Sequence, residues 1–86
     1  MPVPSAQLRE GLLELINGEI SIDPSVPVLG ETDLLATGQV DSLGIVEVVA
    51  WMEEAIGVEI DPVDIVRTNF QTVDSMVAFA ERLTDG

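Results

Sequence analysis

Cysteine, histidine and lysine are all missing from this sequence, and each absence removes a class of chemistry. Without cysteine there is no disulfide framework, no thiolate nucleophile and no zinc site of the usual kind. Without histidine there is no Ser–His pair, and without lysine no amine base or Schiff-base nitrogen. Paired carboxylates remain as a source of acid and base, but they need a cleft, for which an 86-residue helical chain has little room. If the protein takes part in chemistry, the reactive group comes from outside the chain.

Positive charge is also scarce. Three arginines face 16 acidic residues, a formal net charge of −13. Nucleic acid and anionic membranes repel such a chain, whereas partners with basic faces are found quickly by electrostatic steering. Long hydrophobic runs are lacking too. The most apolar stretch, from Gly44 to Met52, is broken by Glu47 and is too short for membrane insertion. Met1-Pro2-Val3-Pro4 has no basic start, so the expectation is a cytoplasmic protein without a targeting segment. Apolar residues at 47% are nevertheless too many for a disordered acidic tail. The length suits one domain, 1–86, and the initial Met and compact ends favour a free-standing monomer over a piece of a larger synthase.

Periodicity predicts an all-α fold, a small four-helix bundle of three long helices and one short one, with no strand and no internal repeat. The first helix runs from about Ser5 to Asn17, burying Leu8, Leu12, Leu15 and Ile16, with Ser5 as cap and Gly18 as stop. A long ordered loop, Gly18 to Asp41, then separates helices one and two. Ile20, Ile22, Val28, Leu29, Leu34 and Leu35 are its candidate anchors, and Thr32 can cap a single turn through Ala36. Ordered loops of this length in small domains are often functional. The second long helix spans Ser42 to Ile56 and stops at Gly57. Asp61 caps a short helix opening on Pro62, with Asp64 placed to return the capping bond, and Thr72 caps the last helix. Val73, Met76, Val77, Ala80 and Leu83 form that helix's buried stripe.

The second helix has two apolar faces. At 100° per residue, Ile45, Val48, Val49, Met52 and Ile56 share one side, a sufficient core stripe. Leu43, Val46 and Ala50 fall opposite, beside Glu47 and Glu54, with Glu53 near the edge. An apolar strip bordered by carboxylates suits a docking surface. The other reading is that Val46 and Ala50 pack under the preceding loop, and Trp51 on the flank reads as packing. At the helix start, Asp41 or Ser42 serves as N-cap. The same position also offers unpaired N–H groups and positive dipole potential, which favour a phosphate ester on Ser42.

The run Gly38-Gln39-Val40-Asp41-Ser42-Leu43 resembles the attachment motif of the phosphopantetheine-dependent acyl and peptidyl carrier proteins. In that family Asp-Ser-Leu opens the second helix and the serine receives a phosphopantetheine arm from coenzyme A. Glu47 and the pair Glu53-Glu54 lie where carriers place acidic recognition residues. Gly57-Val58-Glu59-Ile60 resembles the turn after the second helix, and Asn69-Phe70-Gln71-Thr72-Val73 the entry to the last. The likeness runs through the whole chain in order. Two features are closer to stand-alone carriers, such as D-alanyl and specialised-metabolite carriers, than to fatty-acid synthase carriers. Two residues, Gln39 and Val40, separate Gly38 from Asp41, and the stretch from Ile60 to Val73 is longer by roughly half a helical turn. Gly44, where a larger or polar residue is common, is expected to leave the surface near the arm bare.

The resemblance implies a non-catalytic acyl carrier protein. Ser42 would bear the covalent phosphopantetheine, with Asp41 and Leu43 beside it, and an acyl or aminoacyl group would ride on it as a thioester. The implied partners are a phosphopantetheinyl transferase, a loading ligase, acyltransferase or adenylating enzyme, and downstream acyl-transfer or tailoring enzymes. Leu43, Val46, Glu47, Ala50, Glu53 and Glu54 would form their docking face. The competing reading is a small acidic interaction module without a prosthetic group, which leaves Gly-x-x-Asp-Ser-Leu unexplained. Calcium binding lacks the Asp-x-Asp-x-Asp-Gly spacing, and an independent enzyme lacks His, Cys and Lys.

Overall fold

The computed structural model describes residues 4–23 and 25–85, with the side chain of residue 85 left aside. The reading of the first residues as free of a targeting signal falls on 1–3, outside the described residues. Among the described residues four α-helices form: α1 (Ser5–Leu15), α2 (Ser42–Ile56), α3 (Arg67–Phe70) and α4 (Val73–Asp85). No strand is present among the described residues, and none of their helices is long and apolar enough to cross a membrane. The all-α bundle expected from periodicity is therefore the observed fold.

One core joins the helices. Leu8, Leu12 and Ile16 meet Val48 and Met52 of α2, Phe70 of α3, and Val73, Met76, Phe79 and Ala80 of α4. Each large aliphatic side chain so buried contributes about 1.5–3 kcal/mol. Phe70 and Phe79 pack edge to face with centroids 5.7 Å apart. The stripe read for α4 is buried as expected, although Leu83 is only partly covered and Phe79 joins it. Thr72 caps α4 by accepting from the Ser75 N–H at 2.9 Å.

The first helix departs from its reading at both ends. Pro4 precedes its first turn without a side-chain cap, and Ser5 is already helical. Gly18 does not end it, because the chain widens into a π turn, Ile16–Ile20, closed by the Ser21 N–H on the Ile16 carbonyl at 2.7 Å. Gly18 takes no positive φ, so it does not act as a left-handed stop. Asn17 instead ties the turn to the loop: its Oδ1 accepts from Val28 N–H at 2.7 Å and its Nδ2 donates to the Val28 carbonyl at 3.0 Å.

The long loop is pinned by fewer anchors than its apolar residues suggested. Val28 and Leu34 are buried, and Ile20 and Leu35 partly so, but Ile22 and Leu29 face solvent. Asp33, rather than Thr32, caps its turn by accepting from Ala36 N–H at 2.8 Å. Thr32 accepts from Leu29 N–H, one turn earlier. After α2 the expected short helix is divided. Asp61 caps a 3₁₀ turn, Pro62–Asp64, through the Val63 N–H at 3.0 Å, and α3 follows separately. Asn69 Nδ2 binds the Asp64 carbonyl at 2.8 Å and holds the two pieces together.

Candidate functional site

The start of α2 is built by the residues before it. Gln39, 6% exposed, turns its side chain inward, where Oε1 accepts from the Ser21 hydroxyl at 2.8 Å and the Asp23 N–H at 3.2 Å. Its carbonyl accepts from Ile22 N–H at 3.0 Å. Val40 is buried beside it. The two residues that lengthen the segment between Gly38 and Asp41 thus differ in what they do, since one clamps the loop and the other enters the core. Gly38 permits the turn with φ of 73°.

Asp41 is the N-cap of α2, with Oδ1 accepting from Gly44 N–H at 2.9 Å and its carbonyl accepting from Ile45 N–H at 3.0 Å. Ser42 is the first helical residue, exposed, with its hydroxyl outside the cap. The amides of Ser42 and Leu43 lie ahead of the first intrahelical bond, at the positive end of the 15-residue helix. A serine hydroxyl that is accessible, not occupied by capping and set beside free amides fits a phosphodiester. Nothing in this chain can deprotonate it as histidine or lysine would.

The second apolar strip lies outside the core. Leu43 is 68% exposed and Val46 63% exposed, while Ala50, Glu47 and Glu54 are also on the surface. Val46 and Ala50 therefore do not pack under the loop. Glu53 is half-buried and is engaged within the fold, where its Oε2 accepts from Ile60 N–H at 2.7 Å and fastens the turn after Gly57. Gly57 stops α2 with φ of 69°, as expected. Trp51 is partly buried against the core, consistent with packing.

Gly44 corrects an expectation. It does not leave a bare surface, because Ile20 and Val40 close over it and bury it. On another side of α2, Leu35, Ile45, Ile65, Val66, Arg67 and Phe70 line an open cleft of about 100 Å³. Ile45 stands three residues beyond Ser42 on the same side of α2. Among the described residues, no group of three or more acidic side chains is placed to hold a metal ion.

The sequence points out Asp41, Ser42 and the exposed strip, but it gives no sign of Gln39's clamp or the closure over Gly44. The available signal was an amide residue two places before the cap, followed by a β-branched one. Their partners, Ser21 and Ile20, lie about 20 residues away and become neighbours only once the loop folds.

Residues 10–80 match the family described as "Phosphopantetheine attachment site". The meromycolate extension acyl carrier proteins of Mycobacterium bovis and Mycobacterium tuberculosis are each 29% identical to this chain over 85 residues. The match covers 99% of this chain and 71% of each relative.

Proposed function

This chain belongs to the phosphopantetheine attachment-site family, whose prosthetic group is covalently bound, and from that premise we propose that residues 1–86 form one carrier domain with Ser42 as the attachment residue. The observation that carries the proposal is the placement of Ser42: first in α2, exposed, its hydroxyl left free because Asp41 makes the cap. Asp41 holds the first turn so that the hydroxyl projects outward beside the Ser42 and Leu43 amides. Those amides and the helix dipole favour the negative charge of a phosphodiester there. With no histidine or lysine in the chain, the base that takes the hydroxyl proton belongs to the transferase.

When attached, the group supplies a terminal thiol on which an acyl group is held as a thioester. The chain itself catalyses no turnover. Leu43, Val46 and Ala50 give a partner an apolar centre, and Glu47 and Glu54 an acidic rim for register and speed of encounter. Glu53 serves the fold first, through Ile60, and reaches partners only with its remaining oxygen. An acyl cargo is favoured over an aminoacyl one by the name of the relatives, which are acyl carriers, and by the apolar walls of the cleft beside Ile45. The partners are then a transferase, an acyl-loading enzyme and enzymes that act on the carried chain.

Peptide mapping by mass spectrometry, after reaction with coenzyme A, magnesium and a permissive phosphopantetheinyl transferase, tests the attachment residue. The modification is expected on the peptide containing Ser42. Its appearance on a peptide bearing Ser5, Ser21, Ser25 or Ser75 contradicts the proposal.

A further inference from the structure

Glycine is among the poorest helix formers, yet one occupies the first turn of α2. Gly44 is not there for a left-handed backbone, since positive φ belongs to Gly38 and Gly57. What matters is the side chain it lacks. A Cβ at this position would lie 2.7 Å from Ile20 Cγ2 and 2.8 Å from Val40 Cγ1, inside the closest approach of two carbons. Both neighbours are β-branched and stiff at χ1, with the offending methyl fixed directly to Cβ. Val40 is in the core and cannot swing outward. A methyl group on residue 44 must therefore move backbone, either in the π turn that carries Ile20 or at Val40, two residues before Ser42.

The backbone at risk is the one that sets the site. The amide of Gly44 is the donor that Asp41 Oδ1 accepts. Val40 N–H is bound to the Leu34 carbonyl at 3.3 Å, and Gln39 is clamped to Ser21, Ile22 and Asp23. The π turn, the loop and the helix start thus converge on one missing methyl. We propose that Gly44 is a positioning residue for attachment of the arm. Its bare Cα lets Ile20 and Val40 close on the first turn of α2, and that closure fixes Asp41 and Ser42 in the register met by the transferase. The inference rests on the reading of Ser42 as the attachment residue.

Three variants test it: Gly44→Ala, the relieved background Ile20→Leu/Val40→Ala, and the triple Ile20→Leu/Val40→Ala/Gly44→Ala. Leucine moves the branch one carbon outward and alanine removes it, so the background makes room for the added methyl. Two quantities are read: kcat and KM for transfer from coenzyme A, and hydrogen exchange at the residue-44 amide by NMR, which requires no transfer. Gly44→Ala is expected to lower kcat/KM by about tenfold to a hundredfold and to speed exchange at that amide. In the relieved background the same substitution changes either quantity by no more than about threefold. Val77→Ala, a core loss on α4, lowers the unfolding midpoint without changing transfer.

Native transfer by a folded Gly44→Ala protein overturns the proposal, as does an undiminished effect of the substitution in the relieved background. If Gly44→Ala does not fold, the triple variant against its background decides by the same threshold. If the unsubstituted chain accepts no arm, the reading of Ser42 fails, while amide exchange still decides whether Gly44 sets the helix start.

Discussion

At the scale of single residues, one reactive hydroxyl, that of Ser42, depends on side chains that hold backbone around it, such as Asp41 and Gln39. Asp33, in the loop before α2, holds backbone in the same way. Its carboxylate accepts from the Ala36 N–H and from Gln71 Nε2, which joins the loop to the entry of α4. The Ala36 amide is the main cause that holds its pKa below the usual carboxylate value, followed by Gln71; desolvation opposes them, and Arg67 and the Leu35 amide add smaller contributions. A carboxylate whose folded pKa is depressed adds stability that is fully present above its unfolded pKa and is lost as pH falls through the folded one. The native chain is therefore expected to exceed Asp33→Asn in urea midpoint above about pH 5, with the difference closing as pH falls below about 4. A difference independent of pH across that window would show that the charge on Asp33 has no part in the loop's attachment. Comparing the two proteins at each pH removes the change in overall repulsion that acid brings to both.

At the scale of elements, α2 carries the functional argument, because its two faces have different fates. Val48 is fully buried while Val46, two residues earlier, is 63% exposed. A carboxylate introduced at each should separate the roles. Val48→Asp buries an unpaired charge and is expected to abolish cooperative unfolding, a loss of several kcal/mol. Val46→Asp should leave circular dichroism and midpoint near native while slowing transfer to partner enzymes. Loss of fold by Val46→Asp would place that residue in the core. The boundaries of α2 were legible because Asp41, Gly57 and a 3.6-residue period all act locally. The end of α1 was not: Gly18 after Asn17 reads as a stop, but Asn17 is bound to Val28 across the loop and the helix widens instead of ending. The short helix opens on Pro62 under an Asp61 cap as its sequence implies, and only its separation from α3 is not legible. Pro62 and Asp61 set a turn locally, Ile65 and Val66 leave helical backbone and divide it from α3, and Asn69 reaches back to Asp64 to hold the two together. In the site, Asp41 and Ser42 were readable from neighbouring residues, while Gly44 and Gln39 take their meaning from Ile20 and Ser21.

At the scale of the whole molecule, a net charge of −13 is spread over a bundle in which Arg9–Asp74, at 3.0 Å, is the one ion pair among the described residues. So exposed a pair adds little stability. The excess of carboxylates raises self-repulsion, and a field of this sign speeds encounter with any basic surface. Charge alone suits an acidic interaction module as well as a carrier; the family match over residues 10–80 and the free hydroxyl at the start of α2 distinguish them. The most direct test is intact-mass spectrometry of the native chain and Ser42→Ala, each folded by circular dichroism, after incubation with coenzyme A, magnesium and a permissive transferase. The native chain is expected to gain one phosphopantetheine and Ser42→Ala none. Modification of both proteins, or of neither, contradicts attachment at Ser42.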